Sequence, residues 1–258
     1  MMEVTILGCG SSSGVPRVGG SDGAGDWGAC DPTNPKNRRR RCSILARDGD
    51  TAVLVDTSPD LREQLLSAHC GRLDAVLITH NHADQTHGLD DLRAVAYRMR
   101  KRIDVFSDRT SLDGLMRSFG YCFETPPGSG YPPILSAHEI EGPFDIGSIA
   151  VRVFVVQHGG IHSLGYRLGN VAYTPDVSAI PEESFAVLEG LDCWIVDALR
   201  RDAHPTHANV TTALEWIARV KPKRAVLTNM HIDLDYETLK YELPDGVEPA
   251  YDGMVIRV

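Results

Sequence analysis

Short apolar, β-branched runs recur along the chain, separated by polar and glycine-rich stretches. They are VTIL (4–7), CSILA (42–46), TAVLV (51–55), AVLI (75–78), VRVFVV (151–156), CWIV (193–196) and AVLT (225–228). Runs this short predict strands rather than helices, and Asp48-Gly49-Asp50 predicts a hairpin turn between the second and third. Helical patterns fall between strands. Ser58 and Pro59 read as the N-cap and first residue of a helix through DLREQLLSAH (60–69). SLDGLMRSFG (111–120) and NVTTALEWIARV (209–220), the latter ending before Pro222, predict two more. Segments 10–41 and 124–133 carry neither pattern, and loops of that length in a compact domain are often functional. For 124–133, a lid and a homodimer contact are both open. The mixture of hairpins with strand–helix alternation favours one α+β domain over 1–258, two sheets face to face with helices outside, over a doubly wound sheet.

The polar residues that end the strands carry the chemistry. AVLI-T runs into His80, FVV-Q into His158 and AVLT-NM into His231, while TAVLV, VAYTP and WIV run into Asp56, Asp176 and Asp197. One such residue is most simply a turn former. The series places several potential ligands at one sheet edge, where rigid strands aim them and loops leave room for substrate. In THNHADQTHG (79–88), His80, His82 and Asp84 share one parity of an extended segment. Imidazole and carboxylate are the ligands of zinc, manganese and iron, so this stretch predicts part of a metal site.

These residues resemble the metallo-β-lactamase superfamily, and the resemblance runs over nearly the whole chain. GCGSSSGVPR, QHGGIHSLGYRL and VLTNMHIDLDYETL are similar to its phosphodiesterase branch, which includes phosphoribosyl cyclic phosphodiesterases and ribonuclease Z. The resemblance implies a four-layer αββα sandwich with a metal site at one edge of the two sheets. It implies two divalent ions, zinc or manganese: His80, His82 and His158 on one, Asp84 and His231 on the other, and Asp176 bridging. Where the family motif HxHxDH ends in histidine, this chain has Gln85. His87, two residues on, does not share its face on a helix. An amide oxygen from Gln85 would be a weaker, harder ligand, so the second ion is expected to be loosely held. Related enzymes often carry a cysteine-rich structural zinc site in the early loop; only Cys30 and Cys42 remain here, so none is expected.

Two ions about 3.5–4 Å apart can share a hydroxide and clamp a phosphodiester for in-line attack. Asp84 is a candidate to orient that nucleophile. His207, at the position resembling the phosphodiesterases' catalytic histidine, is the candidate general acid; the plain alternative is that it caps the following helix. His204 is a second choice, and of His69, His138 and His162 only the last lies near enough in sequence to His158 to reach the site. A charge run is usually a solvated face; the alternative is that one or two of Arg38, Arg39, Arg40 and Arg41, with Arg17, hold phosphate.

Composition narrows the reading. With 42% hydrophobic and 24% charged residues the chain reads as an ordinary globular protein. A formal charge of −9 argues against a nucleic-acid coat, and no basic arm for tRNA is present. No basic start or long apolar run predicts a signal peptide or a membrane span. Six scattered cysteines read as reduced thiols, which suggests a cytoplasmic protein. The expected activity is hydrolysis of a small phosphate ester, a cyclic sugar phosphate or a nucleotide. The alternatives are a thioester or lactone hydrolase, a mononuclear iron dioxygenase, and a non-catalytic sensor of a phosphorylated ligand.

Overall fold

The computed structural model describes residues 1–258. Its first sheet contains β1 (Glu3–Gly8), β2 (Ser43–Asp48), β3 (Thr51–Val55), β4 (Ala75–Leu77), β5 (Ile103–Ser107) and β6 (Leu135–Glu139). They lie in chain order, with β14 (Val255–Arg257) added outside β1. The second sheet contains β7 (Phe144–Ile146), β8 (Ile149–His158), β9 (Ile161–Leu168), β10 (Val171–Thr174), β11 (Cys193–Asp197), β12 (Arg224–Thr228) and β13 (Val247–Pro249), again in chain order. The helices are α1 (Leu61–Ser67), α2 (Ala83–Thr86), α3 (Leu92–Met99), α4 (Arg109–Phe123), α5 (Glu182–Phe185), α6 (Val210–Val220) and α7 (Tyr236–Glu242). Helices flank the packed sheets, which is the αββα sandwich.

The continuous apolar runs have a direct cause. In β3, Val53 and Val55 enter the core shared with the second sheet, while Ala52 and Leu54 enter a separate core beneath α1, α3 and α4. β4 divides in the same way, with Ala75 and Leu77 on one side and Val76 on the other. A strand covered on both faces has no polar side to show. The Asp48–Thr51 hairpin forms as expected, with Gly49 at φ 56°.

Several boundaries differ from the sequence expectation, most clearly in three elements. α1 begins at Leu61 rather than Pro59, because the Ser58 hydroxyl accepts the Asp60 N–H (3.1 Å) in a preceding turn. α4 begins earlier, at Arg109, where the Asp108 carboxylate accepts Ser111 N–H (2.7 Å). β8 runs ten residues, four beyond the predicted run. β5, β6, β7, β9, β13 and β14 and the helices α3 and α7 gave no distinct sequence signal. β6, β7, β13 and β14 lie at or beside sheet edges, where few apolar positions are required.

Strand direction assembles the site. β3 to β6 are mutually parallel, and so are β10 to β13. Their C-terminal ends, with that of β8, bring Asp56, His80, His158, Asp176, Asp197 and His231 to one edge of the two sheets. Segment 10–41 lies across this edge without a strand of its own, fixed by single bridges from Gly10 to Arg41 and Met230 and from Val15 to Arg39. No helix is long and apolar enough to cross a membrane.

Candidate metal centre

Three imidazoles converge where β4 and β8 end. His80 Nε2 lies 3.0 Å from His82 Nδ1, which lies 3.3 Å from His158 Nε2. Metal–nitrogen distances of about 2.0–2.1 Å in a tetrahedron separate ligand nitrogens by about 3.3 Å, so the spacing fits one ion. The tautomers fit as well. Thr79 gives its hydroxyl proton to the Asp56 carboxylate (3.0 Å) and therefore accepts His80 Nδ1–H (3.0 Å), leaving the Nε2 lone pair free. His158 Nδ1–H donates to the Thr206 carbonyl (2.7 Å), with the same result. Burial, then the neighbouring histidines, holds the His80 ring well below the usual imidazole range. Burial, then His207, takes His158 down to about 4. Both rings are therefore neutral near pH 7, as ligands must be.

Carboxylates surround this triad. Asp176 is buried, its Oδ1 4.0 Å from His158 Nε2 and 3.8 Å from His207 Nδ1. Burial, then Asp84 and Asp197, raises its carboxyl well above the ordinary range, and burial raises Asp56 and Asp197 too. Such a crowd of acids beside neutral imidazoles is a donor set that calls for a cation. Asp56 and Asn229, the residues after β3 and β12, sit at φ 64° and 62°, sparsely populated for side chains other than glycine. Asn229 uses that turn to donate to the Pro175 carbonyl (2.8 Å), next to Asp176.

The second set of expected ligands does not converge. His231 Nδ1–H donates to Asp233 Oδ1 (3.0 Å), while its Nε2 accepts from Arg17 Nη1 (3.4 Å). Gln85 turns its amide nitrogen, a donor without a lone pair, toward Asp176 Oδ2 (3.0 Å) and Asp84 Oδ2 (3.5 Å). Gln85 Oε1 is buried without a partner. The ligand oxygen expected of Gln85 thus points away from the donor set. His87 is exposed and packs edge-on against Phe119.

His207 packs against His158, ring centroids 4.7 Å apart, and donates Nδ1–H to Asp197 Oδ2 (2.9 Å). It does not cap α6: Asn209 does, its carboxamide oxygen accepting Thr212 N–H (2.9 Å). His204 lies beside it and bonds to Thr206. His162 is held by Gln157 (3.2 Å) and His138 by Asp104 (2.9 Å).

The four consecutive arginines separate completely. Arg39 is buried and spends its guanidinium on the carbonyls of Leu234 (2.6 Å) and His231 (3.2 Å). Arg40 pairs with Asp252 (3.0 Å), and Arg38 stacks on Trp27. Of the four, Arg38, Arg39 and Arg40 are thus engaged by Trp27, by backbone carbonyls and by Asp252. Arg41, with Asp60 3.0 Å away, joins Ser12, Ser13, Arg17, Asp26 and Asp84 around a recess of about 680 Å³. Cys30 packs with Val15 and Ile232. Thr79, Thr206, Asn229 and Asp26 were not singled out from sequence. Asp56 and Asp197 were visible there only as strand-end acids.

Comparisons with known proteins agree with this geometry. The profile of the beta-lactamase superfamily domain matches residues 51–232. A crystal structure described as a new diphosphatase from the PhnP family superposes with a TM-score of 0.91, at 31% identity, over 100% of this chain and 98% of that one. The octanoyltransferase of Porphyromonas gingivalis is 32% identical over 259 residues, covering 98% of this chain and 51% of that protein. Ribonuclease Z of Bradyrhizobium sp. is 29% identical over 144 residues, covering 52% of this chain and 45% of its own length. The chain thus spans about half the length of the curated relatives it matches. With most of its length matched by the profile and its ligand triad at the strand ends, the chain belongs to the metallo-β-lactamase superfamily and has the fold of its metal-dependent hydrolases.

Proposed function

We propose that the chain is a metal-dependent phosphodiesterase acting on a small phosphate ester, with a phosphate–phosphate or phosphate–sugar linkage as the scissile bond. The observation that carries this reading is the recess lined by Arg17, Arg41, Ser12 and Ser13 beside Asp84. Two guanidiniums and two hydroxyls match the oxygens of a phosphoryl group, and an acyl chain would have no use for them. The likeness to a diphosphatase over nearly all of both chains supports the same choice.

A divalent ion on His80, His82 and His158 would supply Lewis acidity, polarising a phosphoryl oxygen and lowering the pKa of water. The chain's own groups do the rest. Arg41 and Arg17 orient the anion, and Asp84 accepts a proton or hydrogen bond from the attacking water. Asp197 accepts His207 Nδ1–H, which directs the other ring nitrogen to the leaving oxygen. When that nitrogen carries a proton, it is the one His207 gives up as the P–O bond breaks. The low net charge of the substrate expected here, one or two phosphates, fits a recess with two arginines rather than a long basic surface.

The specific alternative is acyl transfer or thioester hydrolysis, suggested by the name of the Porphyromonas gingivalis relative. Half of that protein lies outside the match, so its activity has another place to reside. Metal-loaded protein should be assayed with bis(p-nitrophenyl) phosphate, a nucleoside diphosphate ester, a ribose cyclic phosphate and an octanoyl thioester. Turnover of phosphate esters that is lost in His207→Ala with metal retained supports the phosphodiesterase. Faster turnover of the thioester than of every phosphate ester overturns it.

A further inference from the structure

We infer that Arg17 supplies the second positive charge of this centre, in the place that the family resemblance assigns to a second metal ion. The proposal begins with His231. Both of its ring nitrogens are engaged, Nδ1–H by Asp233 and the Nε2 lone pair by Arg17 Nη1. A metal ion and a guanidinium N–H compete for one lone pair, and the guanidinium brings its own charge to the spot.

Arg17 is built to stay there. Its Nη2 lies 2.5 Å from Asp26 Oδ2, and the two backbones pair in both directions, Arg17 N to Asp26 O and Asp26 N to Arg17 O, each at 2.9 Å. The other Asp26 oxygen accepts Gly28 N–H (3.0 Å), so the carboxylate that holds the arginine is itself held. Glycine is required at 28, where φ is 54° and a Cβ would lie 2.6 Å from the Ile232 carbonyl oxygen. This contact ties the arginine's loop to the residue after His231.

Gln85 completes the substitution. A histidine at this position would offer a lone pair to a second ion. The glutamine instead donates N–H to Asp176 Oδ2, partly satisfying the acid that would otherwise bridge two cations. In this orientation the amide nitrogen faces oxygens of both Asp176 and Asp84. The orphaned Oε1 shows that the present orientation already leaves one acceptor unpaired. Two contacts, of Arg17 with His231 and of Gln85 with Asp176, therefore work against the same ion. The centre would then combine one metal ion, held by the imidazole triad, with one guanidinium on the recess, and a phosphoryl group is the ligand that suits both charges. The ion count does not depend on the activity proposed above, whereas the phosphoryl contact rests on it.

The test counts ions. Chelator-stripped full-length protein is titrated with Zn2+ and, separately, Mn2+ by calorimetry, and metal per chain is measured by elemental analysis after desalting. The wild type should hold one ion per chain, and the Arg17→Ala/Gln85→His double variant should hold two. Two ions of similar affinity in the wild type would overturn the proposal. So would a folded double variant, checked by circular dichroism, that still holds one. Gln85→His alone keeps Arg17 on His231 and should stay nearer one than two; a full second ion there would remove Arg17 from the argument. Inorganic phosphate binding to the zinc-loaded protein should weaken at least 10-fold in Arg17→Ala. Unchanged phosphate affinity would overturn the arginine's contact with substrate while leaving the ion count standing on its own result.

Discussion

The two ends of the cleft are prepared for charge in different ways. At the end formed by β4 and β8, His80 and His158 each have their second nitrogen fixed by a neighbour, the buried Thr79 hydroxyl or the Thr206 carbonyl. At the other end, His231 is partly exposed and its partner Arg17 comes from the long segment 10–41. The first end is set by strand geometry and needs an external cation. The second is set by a loop that carries its own. Rigid strand ends specify ligand positions, and a loop can then change the cation without altering the fold.

Breaking the imidazole end should have the largest effect. His80→Ala or His158→Ala removes a nitrogen from the triad. Metal per chain should fall to near zero on desalting, and phosphate-ester turnover by more than about 10²-fold, since even residues behind the ligands are worth about 10–100-fold. Metal content equal to wild type would contradict the triad. Next in size is His207→Gln, expected to lower kcat by about 10²–10⁴-fold at unchanged metal content. Asp197→Asn should cost about 10–100-fold by loosening the same ring. If His207→Gln instead raised KM at constant kcat, His207 would be a binding group.

The arginines sharpen the comparison through stability. Arg39→Met deletes the donor to two carbonyls next to His231 and should cost about 2–3 kcal/mol in urea unfolding. Arg38→Met, losing an exposed stack on Trp27, should cost less than about 0.5 kcal/mol. Equal losses would mean that Arg39 does not tie this segment down.

A further effect is one of pH. In metal-free protein the folded His158 ring takes up its proton only near pH 4, against about 6.5 when unfolded. Between these values the unfolded chain binds more protons. This group's share of stability is therefore present above about pH 6.5 and lost as pH falls toward 4. The melting temperature of the chelator-treated wild type should drop more steeply across that window than that of His158→Gln, by a few °C. Parallel curves would show that His158 is not desolvated.

Much of the site could be read from residue order because its ligands follow buried strands. An apolar run covered on both faces must be straight and interior, so the polar residue that ends it has a fixed destination. That reasoning found His80, His158, Asp176 and Asp197, and it placed His207 before α6. It could not separate Arg38 to Arg41, where neighbours in sequence point at Trp27, Leu234, Asp252 and Asp60. Nothing in four identical side chains tells which will be buried.

The sequence by itself determined the two-sheet fold and the imidazole end, because both follow from local periodicity and from side chains fixed within one strand and its turn. Only the tertiary structure decided the other end. Arg17 meets His231 across 214 residues of chain, and Gln85 meets Asp176 across 91. Whether an amide presents its nitrogen or its oxygen, and whether an arginine meets an imidazole, depends on which acceptors packing brings within about 3 Å. That is set by how the loop closes over the strand ends, and the order of residues does not encode it locally.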